Sequence, residues 1–250
     1  MNILIVNGNT TQAITDRVAT TARAHCAAGT TIRAVTAETG PRVIATRAEN
    51  LLGAHSVLTL AARHHAGADA LVIAVATDTG LPAVREALPI PVVGMTEAAL
   101  LTACTIGSRF GFVALGRRGA AMYREVIESH GLASRVAAIA VVDPPDASFL
   151  EPSLAADAIL AGIADLASAG ADSAIIGGAA FAGIGTLLQE RAPIPIVDGV
   201  GCAVRLAEML AALALPKPVR GSYARLPRRE LRGVDPALAA LFAEEIGGEA

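Results

Sequence analysis

The sequence predicts an α/β protein of two pseudo-symmetric lobes, each a parallel sheet covered by helices, with a cleft between them. Three observations predict it. Apolar residues make up 53% of the 250 residues and aromatics only 3%, so the core is built from Ala, Val, Leu and Ile, as in strands buried on both faces. Short β-branched runs alternate with segments of helical spacing, the pattern of βαβ units. One block of the chain also recurs: Ala66-Gly67-Ala68-Asp69 returns as Ala169-Gly170-Ala171-Asp172.

In chain order, residues 2–6 (NILIV) read as a strand, 7–11 (NGNTT) as a polar loop and 13–27 as a helix. Residues 31–35 read as a second strand, 49–66 as a helix and 70–75 (ALVIAV) as a buried strand. A short helix over 81–88, a strand end over 91–94 and a helix over 97–106 follow. The repeat extends past its first four residues: Ile73 matches Ile176, Gly80 matches Gly183, and 89–93 (PIPVV) matches 193–197 (PIPIV) after a one-residue slip. Gly and Pro restrict the backbone so strongly that such a match signals equivalent turns. Ligands in open α/β sheets bind beyond the carboxyl ends of the strands. The equivalent loops after Val75 and after Gly177 are therefore expected to face each other across the cleft. The expected division is 1–97 with 200–225 as one lobe, 98–199 as the other, and 226–250 as a C-terminal tail or helix.

Charge and composition exclude several classes. Lys and Arg number 20 against 23 Asp and Glu, for a net charge of -3, and no basic stripe is present to neutralise phosphates, so no nucleic-acid partner is expected. The N-terminus carries no charged-then-apolar leader and no apolar run is long enough to span a bilayer, so no membrane association is expected. Cys26, Cys104 and Cys202 lack C-x-x-C spacing and read as free thiols, which fits a cytoplasmic protein. His55, His64 and His65 share a helix without i, i+4 ligand spacing, and His130 stands apart, so no metal site is expected.

The stretches Asn7-Gly8-Asn9-Thr10-Thr11, residues 66–74 (AGADALVIA), 91–99 (PVVGMTEAA) and 195–200 (PIVDGV) together resemble the aspartate/glutamate/hydantoin racemase superfamily, above all its hydantoin and allantoin racemases. The resemblance covers about residues 1–215 in the family's order. It implies two Rossmann-like lobes, an active site between them, no cofactor, a small carboxylate or cyclic amide as substrate, and a homo-oligomer. In those racemases one cysteine from each lobe serves as base and the other as acid on opposite faces of the substrate's α-carbon, because inversion removes a proton from one face and returns it to the other. The resemblance aligns these cysteines with Val75 and Gly178, and the repeat independently pairs the same two positions. Neither transfers a proton. Many relatives also carry a Thr where this chain has Ala114.

The candidate residues lie in the loops that remain. Asn7 and Asn9 serve either as binders of a carboxylate or ring amide, as the matching positions do in relatives, or as turn and cap residues. Thr77 and Thr79 are placed at the cleft mouth as hydrogen-bond donors, and Asp78 is a candidate general base or a helix cap. The run Gly177 to Ala180, ahead of a short helix, either exposes backbone N–H groups that suit an anion or serves close packing of strand against helix, and Val75, Gly178, Ala179, Ala180 and Phe181 are the candidate substrate contacts there. Tyr123 is a candidate acid–base group; Glu97 and Asp198 read as helix caps, and Cys202 lies past the position of the family's thiol. The expected function is hydrolase or decarboxylase-type lyase chemistry on a small carboxylate or cyclic amide without thiols. A racemase with non-cysteine bases such as Asp78 or Tyr123, and a ligand-binding pseudoenzyme, are the alternatives.

Overall fold

The computed structural model describes residues 1–243 and consists of two four-stranded parallel sheets with helices on their faces. The first sheet has the order β2-β1-β3-β4, from β1 (Asn2–Asn7), β2 (Thr31–Thr36), β3 (Ala70–Ile73) and β4 (Val92–Gly94). The second repeats it as β6-β5-β7-β8, from β5 (Phe110–Leu115), β6 (Val136–Val142), β7 (Ser173–Ile176) and β8 (Ile196–Val197). Strand order and direction are thus the same in both halves, as the recurring block predicts. The recurring Asp has one job in each: Asp69 Oδ2 accepts from the Asn2 amide at 2.7 Å, and Asp172 Oδ2 from the Arg109 amide at 2.9 Å. Each ties the start of the third strand of its lobe to the first.

The long helices are α1 (Gln12–His25), α2 (Arg47–His64), α4 (Met95–Ile106), α5 (Gly116–Ser129), α6 (Ala156–Ser168) and α8 (Gly199–Leu213); α3 (Leu81–Ala87) and α7 (Ile184–Leu188) are short. Helix α2 begins two residues earlier than its spacing suggests because Thr46 caps it, accepting from the Glu49 amide. Strand β3 ends at Ile73, short of the expected Val75: the Ala74 amide still reaches the Val6 carbonyl at 2.9 Å, and Val75 begins the loop.

The two lobes exchange helices. Helix α4 follows β4 of the first sheet yet packs on β5, β7 and β8 of the second, while α8 follows β8 and packs on β1, β3 and β4 of the first. The two helices lie against each other, and buried residues of both sheets join in one apolar cluster with Ala98, Ala99, Val200 and Val204 between them. A second cluster, on the other face of the first sheet, contains Leu4, Val6, Val57 and Ile73. The last described helix, α9 (Pro236–Leu241), rests on α2, where Arg63 pairs with its N-cap Asp235 at 2.7 Å. The part of the expected C-terminal tail over 244–250 lies outside the described residues. Among the described residues no helix is long and apolar enough to cross a membrane.

Candidate functional site

Parallel strands deliver all their carboxyl ends to one side, and six strand-to-helix loops, three from each lobe, enclose a cavity of about 500 Å³ there. From the first lobe come Asn9 after β1, residues 43–46 after β2, and Val75, Ala76 and Thr77 after β3. From the second come residues 115–119 after β5, Asp143 and Phe149 after β6, and Gly178, Ala179 and Ala180 after β7, with Met122 and Tyr123 of α5 on the wall. Val75 and Gly178 line the same cavity from opposite lobes.

Its polar lining is rich in donors, with Asp143 the one carboxylate. The amides of Ala76 and Thr77 and those of Gly178, Ala179 and Ala180 have no hydrogen-bond acceptor among the described residues. Helix α5 has no side-chain cap, and its first turn, Gly116 to Gly119, lines the cavity with the amides that no helix can satisfy internally. Arg117 and Arg118, in that turn, are exposed. The Tyr123 hydroxyl also has no partner among the described residues, although the residue is buried with its ring 4.6 Å from that of Phe112. Burial pushes the Tyr123 phenol well up, and the nearby Asp78 carboxylate adds to the effect, so it is held as a protonated donor. Gly177 makes room for this ring: a Cβ there would approach Tyr123 Cε2 to 2.7 Å.

The two asparagines divide the roles that the sequence leaves open. Asn7 is fully buried; its amide nitrogen donates to Asn9 Oδ1 at 3.1 Å and Thr15 Oγ1 at 2.9 Å, and its oxygen accepts from the Asn9 amide. Asn9 lines the cavity, with Oδ1 accepting from the Thr11 amide at 3.0 Å ahead of α1 and Nδ2 without an acceptor among the described residues. Asn7 therefore props Asn9, and Asn9 faces the cavity. Thr77 also reaches the lining, its hydroxyl 2.9 Å from Asn50 Oδ1 and 2.7 Å from Thr79 Oγ1. Thr79 is buried behind it on the same Asn50 at 2.5 Å.

Asp78 is turned away from the cavity. It adopts φ 47°, in the left-handed region, and its two oxygens accept from the Thr96 and Glu97 amides at 2.9 and 2.7 Å, capping α4. Gly94 permits this, since a Cβ there would overlap the carboxyl group. The second lobe builds the same cap from the other side of the loop pair: Asp198, whose repeat position is that of Gly94, accepts from the Gly201 and Gly183 amides at 2.8 Å. Glu97 serves as a cap as well, accepting from the Gly94 amide at 3.4 Å while paired with Arg85 at 2.5 Å. Phe181 does not reach the cavity and packs edge-on against Phe149 with centroids 6.1 Å apart. None of the three cysteines lines the cavity; Cys202 faces a separate hollow between α4, α7 and α8, and burial pushes its thiol up rather than activating it.

The sequence reading missed Asn50, the apolar pair Val43 and Ile44, and Arg17. Arg17 on α1 donates across the lobe interface to the carbonyls of Ala180 at 2.8 Å, Phe149 at 3.3 Å and Leu150 at 2.7 Å. A Val-Ile pair inside a polar loop is a usable signal of a cavity wall; a lone Arg in an amphipathic helix carries none.

A sequence profile of the Asp/Glu/hydantoin racemase family matches residues 3–207. The chain belongs to this family. It is 32% identical to the hydantoin racemase of Paenarthrobacter aurescens over 227 residues, 89% of this chain and 96% of that protein. Among solved structures, the allantoin racemase of Klebsiella pneumoniae superposes with a TM-score of 0.88 at 29% identity, covering 95% of this chain and 98% of that one. The allantoin racemase of Pseudomonas fluorescens gives 0.88 at 30% identity, over 93% of this chain and 100% of that one. An arylmalonate decarboxylase shares the fold alone, with a TM-score of 0.60 at 16% identity over 90% of this chain and 98% of that one. The arrangement of two parallel sheets is thus shared with both allantoin racemase structures.

Proposed function

We propose that this member of the Asp/Glu/hydantoin racemase family is a cofactor-independent enzyme that binds a small carboxylate or cyclic amide in the interlobe cavity and acts as a decarboxylase-type lyase. One observation carries the reading: the lining is rich in unpaired donors, while no thiol or imidazole lies in it. The family resemblance puts proton-transferring cysteines at the positions of Val75 and Gly178, and the relatives' names supply the substrate class. Gly178 sits at φ 105°, a conformation an L-residue rarely adopts. A thiol there would require a different loop.

Racemisation begins by removing a proton from carbon and needs a base on one face and an acid on the other. Decarboxylation forms the same carbanion without a base. The bond to the departing carboxylate breaks, its electron pair moves into the neighbouring carbonyl as an enolate, carbon dioxide leaves, and one proton must then be delivered. Converging amides at residues 76–77, 116–119 and 178–180 suit stabilisation of the enolate oxygen and a remaining carboxylate. The Tyr123 hydroxyl is the donor to carbon, recovering its proton from water. Hydrolysis needs an activated water, and the one carboxylate in the lining, Asp143, is exposed at the mouth. Ile14, Val43, Ile44, Met122 and Phe149 form an apolar wall suited to a substituent on the reacting carbon.

The near full-length similarity to hydantoin racemase favours a second reading, racemisation with non-cysteine bases. The test is to supply 2-substituted malonates and hydantoin-5-carboxylates, and separately single enantiomers of 5-substituted hydantoins and allantoin, in D2O. Carbon dioxide release with deuterium at the new C–H bond, and no exchange into the hydantoins, is the expected result. Rapid exchange and loss of optical rotation without carbon dioxide release would establish the second reading instead. Saturable binding with neither outcome would make the chain a ligand-binding protein.

A further inference from the structure

Outside the cavity lies one cluster of titratable side chains that joins the two lobes. His130, at the end of α5, is 21% exposed and places Nε2 3.8 Å from Asp78 Oδ2 and Nδ1 3.9 Å from Glu97 Oε1. Asp78 belongs to the loop that carries Thr77, and Glu97 to the first turn of α4. Arg85 of α3 pairs with Glu97 on its other oxygen. These three, Asp78, Glu97 and Arg85, are the charged groups that act on His130 among the described residues. Burial raises the Asp78 pKa, while the Thr96 and Glu97 amides and His130 favour its ionised form; with Asp78 and Glu97 ionised, one guanidinium leaves a net negative charge that an imidazolium cancels.

The geometry matters because α5 is itself a wall of the cavity. Its first turn supplies amides, Met122 and Tyr123 line the cavity from its middle, and its last residue leads into His130. At the other end of the pair, the Asp78 loop supplies the opposing amides of Ala76 and Thr77. The only other ion pair of α5 with the first lobe among the described residues, Glu125 with Arg47, is more than half exposed on both sides and carries no group that titrates near neutrality. We propose that His130 is a positioning residue: as an imidazolium it holds α5 against Asp78 and Glu97 and so sets the spacing between the Tyr123 wall and the Thr77 wall of the cavity. The inference uses the cavity of the proposed function, not its chemistry.

The pH dependence has a definite sign. The Asp78 carboxyl group beside Nε2 raises the His130 pKa above its ordinary value, with burial opposing and Glu97 assisting. A raised histidine pKa means that the link is fully present below about pH 6.5 and is lost as pH rises through the higher folded value. The experiment compares the wild type with His130→Gln and His130→Lys by hydrogen exchange of residues 116–129, each at about pH 6 and about pH 9. Taking the ratio of variant to wild type at each pH removes the intrinsic pH dependence of exchange. Expected is exchange on the order of two- to fivefold faster in His130→Gln at the lower pH, converging on wild type at the higher, with His130→Lys protected at both. A ratio that does not change with pH, or His130→Lys behaving as His130→Gln, overturns the proposal. Calorimetric titration with 5-benzylhydantoin over the same range should show affinity falling by a similar factor at high pH in the wild type only. Affinity independent of pH in the wild type, with the exchange effect intact, would make the link merely structural and also overturn the proposal. If the probe binds no variant while the exchange pattern appears, the ligand class proposed above fails and the coupling of α5 to Asp78 stands.

Discussion

Tyr123 combines a buried ring, an unpartnered hydroxyl and a position on the cavity wall. The hydroxyl has no protein acceptor among the described residues and opens on the cavity, where it is available to bond a ligand. Tyr123→Phe is therefore expected to lower kcat on a decarboxylated substrate by about 10²-fold, the lower end of general-acid contributions, with KM changed far less. Steady-state rates of carbon dioxide release check this, and an unchanged kcat would remove Tyr123 from the chemistry. Asp78 shows the opposite case. An acid beside the position of the family's first cysteine reads as a candidate base, yet its oxygens are engaged by two amides of α4. Which of the two roles an acid in such a loop takes depends on what stands opposite, here the glycine at position 94, and that pairing spans 16 residues of chain.

At the scale of elements, the exchanged helices α4 and α8 decide how the lobes meet. Their N-termini come close enough that Gly199 rests on the backbone of Met95, where a Cβ would lie 2.8 Å from the carbonyl oxygen. A backbone atom cannot rotate aside as a side chain would. Gly199→Ala should therefore destabilise the protein by about 1–3 kcal/mol, the usual cost of overpacking, seen as a lower midpoint in urea with an unchanged slope. A wild-type midpoint would mean that the two helices separate readily. Helical spacing finds α4; the exchange of α4 and α8 between sheets is invisible to it, because each has apolar residues enough to cover either sheet.

For the whole molecule, the cavity exists because two lobes are held in register. Arg17 bridges them with three hydrogen bonds to carbonyls of residues 149, 150 and 180, of which 149 and 180 belong to the cavity wall itself. Bonds from a charged donor contribute about 1.5–3 kcal/mol where buried, and Arg17 is only partly so. Arg17→Ala is expected to weaken binding of a cavity ligand on the order of tenfold while leaving far-ultraviolet circular dichroism unchanged. Calorimetry with a 5-substituted hydantoin measures it; undiminished affinity would show that the lobes keep their spacing without the clamp.

What the chain determined by itself was the parallel α/β class, the twofold repetition of strand order, and the opposition of Val75 and Gly178. These are legible because they depend on local spacing and on a block of Gly, Pro and Asp residues that recurs within one sequence. The tertiary structure alone decided which donors face the cavity. It turned Asp78 into a cap, set Asn7 behind Asn9, brought Asn50 to Thr77, and joined His130 to Asp78 across 52 positions. Those outcomes rest on contacts between residues far apart in the chain, where the direction of a side chain is fixed by the packing of other elements and not by its neighbours in sequence.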